Sequence, residues 1–128
     1  MTPPSIPVKL NWTTNYTGTT LPVKLDDLDF SKITADGVYV IYQHATGNIP
    51  ARAIRVGQGI VKDRLCTHKD DPTIGAYRIF GPLYVMWAAT PAHVKNGAER
   101  YLADLYQPLV GDAFPNVVPI TVSLPWVA

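Results

Sequence analysis

With 128 residues, 47% of them hydrophobic and 16% charged, the chain has apolar material for one folded domain and too little charge for a disordered one. With a formal net charge of +1, the field of the whole molecule says little about nucleic-acid or membrane binding. The lone cysteine, Cys66, excludes an intramolecular disulfide framework and a cysteine-rich zinc site.

Residues 1–20 are rich in Pro, Thr and Asn, and only the alternation of Val8, Leu10 and Trp12 points to a short strand or an extended segment packed on the domain. Leu25, Leu28 and Phe30, spaced by Asp26, Asp27 and Asp29, predict one helical turn or a loop pinned by its apolar residues. Gly37–Tyr42 then reads as the first firm strand, apolar and β-branched, with Val38, Val40 and Tyr42 on one face and Tyr39 and Ile41 on the other. The breakers in Ala45–Pro50 turn the chain into a partner strand, Ala53–Val56, which ends at Gly57-Gln58-Gly59.

A helix is expected from Ile60 to about Lys69, stopped by Asp70-Asp71-Pro72. Its spacing puts Ile60, Arg64 and His68 on one line and Val61 and Leu65 on the next. Leu83–Ala88, an apolar run with prolines on both sides, reads as a central strand buried on both faces. Pro91–Gly97 reads as a connection or one short helical turn, and Ala98–Leu109 as a helix with an apolar stripe of Ala98, Tyr101, Leu102, Leu105 and Leu109. Glu99, the single glutamate, lies beside that stripe. The proline-rich tail from Val110 wraps as extended segments, with Val118–Leu124 a candidate edge strand.

Charge is unevenly spread: Arg52, Arg55, Lys62, Arg64 and Lys69 are opposed only by Asp63 between positions 52 and 69. Gly37-Val38-Tyr39, then Arg55-Val56-Gly57, then Arg64-Leu65 with His68, then Glu99 on a later helix resembles the GIY-YIG nuclease domain in order and placement. The similarity covers roughly Asp36 to Leu109. It implies an α/β (α+β) fold with a small, mainly antiparallel three-stranded sheet flanked by helices. Residues 1–35 would be an N-terminal extension packed on a GIY-YIG-like domain of residues 36–128 that includes the tail.

The resemblance further implies hydrolysis of DNA phosphodiesters with Mg²⁺ or Mn²⁺. By position, Tyr39 would sit beside the attacking water as base or positioner. Arg64 would neutralise the five-coordinate phosphate, His68 would act as base or water-orienting group, and Glu99 would bind the metal. Positive charge where negative charge develops is what such a transition state needs, and one carboxylate with waters suits a hard divalent cation. Arg52, Arg55, Gln58, Lys62 and Lys69 are the candidate contacts to the DNA backbone. Arg55 stands where the family's second motif opens with tyrosine, and Asn116 or Ser123 would fill the place of a C-terminal asparagine.

Each residue also has a structural account. Tyr39 can be strand packing, His68 a helix-end residue and Glu99 a first-turn acid, and the basic run a solvated face. With no apolar N-terminal segment after Met1, a cytoplasmic protein is expected. Any sequence specificity is expected to come from loops, the N-terminal extension or a protein partner. The runner-up expectation is a domain that binds nucleic acid or protein without cleaving.

Overall fold

The structure is a computed structural model and describes residues 7–14, 22–111 and 116–124. Its centre is a four-stranded antiparallel sheet of β1 (Val23–Lys24), β2 (Asp36–Gln43), β3 (Arg52–Ile60) and β4 (Tyr84–Ala89), in the order β1-β4-β2-β3. Helices α1 (Val61–Lys69), α2 (Pro72–Gly75) and α3 (Ala92–Tyr106) flank it, with short 3₁₀ turns at Leu25–Asp27, Phe30–Lys32 and Ala76–Phe80. The chain is thus a small α+β fold. Among the described residues, no helix is long and apolar enough to cross a membrane.

The sheet carries an apolar core on each face, as strict side-chain alternation along β2 requires. Val38, Val40 and Tyr42 face the core that α3 closes with Val94, Ala98 and Leu102. Tyr39 and Ile41 face the core that α1 and α2 close with Val61, Leu65 and Ile74. Strand β4 lies inside the sheet, which explains a run with no polar face: Val85, Met86, Trp87 and Ala88 are all buried.

Four expectations are corrected. The sheet has a fourth strand, because Val23 and Lys24 pair with Val85 and Tyr84; two residues carry no periodicity to read. The N-terminal segment contributes again where Thr13 and Trp87 exchange backbone hydrogen bonds of 2.7 and 3.0 Å. Strand β3 runs on through Gly57 and Gly59 to Ile60, since both glycines pair in register with β2.

Helix α3 starts at Ala92, directly after Pro91, and ends at Tyr106, not Leu109. The Pro91–Gly97 connection is thus largely helical: Ala92 to Gly97 lie inside α3, with Ile120 of the tail packed on Gly97. Leu105 and Leu109 are 41% and 48% exposed, so the buried stripe is Val94, Ala98 and Leu102. Finally, the described residues of the tail add no strand to the sheet: Val122 pairs with Val8 in an isolated parallel bridge. The outer side of β3 is met instead by the segment after α3, where Leu109 and Val110 donate N–H to the carbonyls of Ala53 and Ile54.

Candidate functional site

The site grows from the β2–β3 register, which places Tyr39 opposite Gly57 and Ile41 opposite Arg55. The Tyr39 side chain leans across onto β3 and lies against Gly57. A Cβ at position 57 would overlap its hydroxyl and ring, so only glycine leaves the ring this place. Arg55 points to the same sheet face one step along, half-buried. A positive φ of 129° at Gly59 then carries the chain toward α1, with Arg64 packed over this glycine.

Helix α1 delivers the next two groups. Val61, Leu65 and His68 form its buried stripe, whereas Arg64 is exposed. The expected Ile60–Arg64–His68 line therefore splits, with His68 turning inward at i+7 from Val61. His68 Nε2 lies 2.6 Å from the Tyr39 hydroxyl, and the two rings are tilted at 49°. Glu99 comes from α3 and is 8% exposed. Its charge acts on Tyr39, and the charges of Arg55 and Arg64 act on it. Tyr39, Arg55, Arg64, His68 and Glu99 thus form one electrostatic cluster drawn from two strands and two helices.

Burial governs the protonation of this cluster. It pushes the Tyr39 phenol up to about 12, against the pull of Arg55 and Arg64. It pushes the His68 imidazole down to about 4, and Arg55 and Arg64 add to that while Asp71 opposes it. The Glu99 carboxyl is raised by burial, partly offset by the same two arginines. At neutral pH the phenol and the imidazole are both uncharged, so a single proton is shared across the 2.6 Å contact between them. His68 Nδ1 is buried with no hydrogen-bond partner among the described residues. Arg55 Nε is buried and unpartnered as well.

Other expected contacts fall elsewhere. Arg52 donates to Gln43 Oε1 at 3.1 and 3.2 Å and lies over the rings of Tyr77 and Phe80. Its partner in register is Gln43, four residues along β2 from Tyr39, or ~13 Å. Gln58 pairs in register with Val38, on the sheet face away from Tyr39, and donates to Asn96 Oδ1 at 2.8 Å. Lys62 is exposed on α1, and Lys69 sits over the Phe30 ring, 5.7 Å from its centroid. The basic run is therefore no single patch; only Arg55 and Arg64 of it join the cluster.

Asn116 is exposed. Ser123 clasps the N-terminal segment: its hydroxyl accepts from Leu10 N–H at 2.7 Å and donates to the Leu10 carbonyl at 3.1 Å. Sequence reasoning gave no signal for the two orphaned nitrogens, because each depends on which elements close over it.

Among the described residues, no group of three or more His, Cys, Asp and Glu side chains is placed to hold a metal ion. Glu99 is thus a single carboxylate donor. That fits one mode of binding a hard cation, in which waters and substrate phosphate oxygens complete the shell, and does not fit an all-protein cage.

A buried phenol–imidazole pair, two arginines free of ion pairs among the described residues and one carboxylate make a site suited to a phosphate group and a mobile proton. Compared with protein-family models, curated proteins and solved structures, the chain gives no match.

Proposed function

We propose that this chain is a metal-dependent endonuclease of the GIY-YIG type, acting on DNA phosphodiesters. The observation that supports it best is the 2.6 Å contact between Tyr39 and His68, with the charges of Arg64 and Glu99 acting on Tyr39. In this reading Tyr39 accepts a proton from the attacking water as its own passes to His68 Nε2. Arg64, exposed beside the pair, holds the phosphate and offsets the charge that builds on it. Glu99 would hold a Mg²⁺ or Mn²⁺ ion, which supplies Lewis-acid stabilisation of the phosphate and leaving oxygens. The DNA contacts are to the phosphate backbone, and a partner protein supplies target choice; the protein works in the cytoplasm.

The test is plasmid nicking with Mg²⁺ or Mn²⁺, beside a chelator control and the variants Glu99→Gln and Arg64→Ala. Nicking should require the metal and both side chains. Undiminished cleavage by Arg64→Ala would sink the proposal.

A second reading, a module that binds nucleic acid without cutting it, is favoured by two observations. Tyr39 is only 1% exposed, so water must be admitted before the phenol can act on it. Arg55 occupies the place of the tyrosine that opens the second motif. Salt-sensitive DNA binding with no nicking under any metal would select this reading.

A further inference from the structure

The segment Pro108–Gly111, which follows α3, lies along the outer side of β3 and is held there lightly. The reason begins in β3. Ile41 pairs with Arg55 and Tyr42 with Ala53, so Ile54 is an extra residue with no partner on β2. This bulge leaves the carbonyls of both Ala53 and Ile54 facing outward, where they accept from Leu109 N–H at 3.3 Å and Val110 N–H at 2.8 Å. Among the described residues, these two bonds are the backbone attachment of the segment to the sheet. Val110 is half-buried against the core that holds Tyr39, whereas Leu109 is exposed.

Between the segment and the domain lies a cavity of about 290 Å³, lined by Arg55, Asp71 and Thr73 and by Leu109, Val110 and Gly111. Two of its walls adjoin the Tyr39–His68 pair. Arg55 shares the sheet face of Tyr39, and Asp71 N–H donates to the His68 carbonyl at 3.1 Å. The backbone at both ends of the segment is unusual. Gln107 is left-handed at φ 47°, although it is not glycine and precedes a proline, which favours extended backbone there. Gly111 stands at φ 128°, where a side chain would be strained.

Tyr39 and His68 are buried, yet the chemistry proposed for them needs water at the phenol. We propose that Pro108–Gly111 is an autoinhibitory strap. Closed on β3, it keeps water from the Tyr39–His68 pair; swinging off the Ala53 and Ile54 carbonyls about Gln107 and Gly111, it admits water. Opening breaks two hydrogen bonds and lifts one half-buried valine, so the paired strands and α1 keep their places. The motion itself involves no chemistry, and its effect on cleavage rests on the phosphodiester reading.

The experiment joins amide hydrogen exchange with carbethoxylation of histidines by diethyl pyrocarbonate, both on the full chain. Exposed His93 gives the reference rate for an open imidazole. The Leu109 and Val110 amides should be ~10²-fold or more less protected than those of Val38 and Val40 in the central strand β2. The slowing of His68 modification relative to His93 should equal the protection of the Val110 amide. Gly111→Ala strains the closed strap and should raise Val110 exchange and His68 modification together, about 5–30-fold. Val94→Ala weakens the core on the other sheet face, so it should speed exchange at Val40 and leave His68 modification unchanged.

His68 modification that follows the Val40 amide, and so waits for global unfolding, would overturn the inference. So would a wild-type His68 as reactive as His93, or a Gly111→Ala rate equal to the wild type. Nicking separates the strap from the nuclease reading. Faster nicking by Gly111→Ala supports both, and equal nicking by the two forms would overturn the autoinhibitory role. No nicking by either form, with His68 still following Val110, sinks the nuclease reading and upholds the strap.

Discussion

Gly57→Ala is the sharpest perturbation of the site, because one methyl group tests the whole placement of Tyr39. The added Cβ would overlap the Tyr39 hydroxyl and ring, and both partners sit on paired strands with little freedom to part. The ring must leave β3, which is overpacking in a buried site and costs ~1–3 kcal/mol. Its departure breaks the contact with His68 Nε2 and leaves both imidazole nitrogens unpartnered, a further ~1–3 kcal/mol.

A combined loss of ~3 kcal/mol in a domain of this size lowers Tm by roughly 10 °C. The assay is a thermal melt followed by far-UV circular dichroism, with Gly47→Ala as control. Gly47 has nothing within 4 Å of an added Cβ, so its replacement meets only the strain of a φ of 57°. The double variant Gly57→Ala/Tyr39→Leu should lose less than the sum of the single losses, because the two residues compete for one space. A Tm for Gly57→Ala within 1–2 °C of the wild type (about 0.5 kcal/mol) would refute the packing argument.

Three other outcomes follow from the same geometry. Tyr39→Phe keeps the ring and removes the hydroxyl, so it should destabilise by ~1–3 kcal/mol in urea unfolding and abolish nicking. Because His68 is pushed from 6.5 to about 4 in the fold, its stabilisation is complete above pH 6.5 and is lost as pH falls through 4. The loss reaches ~3 kcal/mol. The raised Glu99 carboxyl works oppositely, favouring the fold at lower pH, so urea unfolding from pH 4 to 7 should be compared between Glu99→Gln and Glu99→Gln/His68→Gln. Only the variant that keeps His68 should show the steep rise with pH. Arg64→Ala, at an exposed helix position, should alter stability by no more than ~0.5 kcal/mol while cutting nicking ~10²–10³-fold, so an equally large drop in Tm would contradict its assignment.

Much of the fold was legible along the chain. The alternation in Gly37–Tyr42 fixed which side chains go to which face, and both faces of β2 are packed as that alternation requires. The unbroken apolar run at Leu83–Ala88 announced an internal strand, and Asp70-Asp71-Pro72 ended α1. These are local properties, since period, breakers and caps depend on neighbours in sequence.

Tertiary contacts decided the rest. Gly57 and Gly59 read as a strand end until β2 pairs with them and Tyr39 covers Gly57. Arg52 and Gln58 belonged to one basic run in sequence, yet Gln43, Tyr77 and Asn96 draw them away from the cluster. His68 shared a line with Arg64 on paper, but the core beneath α1 takes the Val61–Leu65–His68 stripe and leaves Arg64 outside. The identity of Arg55 was visible from the start; its unpartnered Nε was not. An unsatisfied donor is defined by everything that fails to reach it, and that requires the positions of segments far apart in the chain.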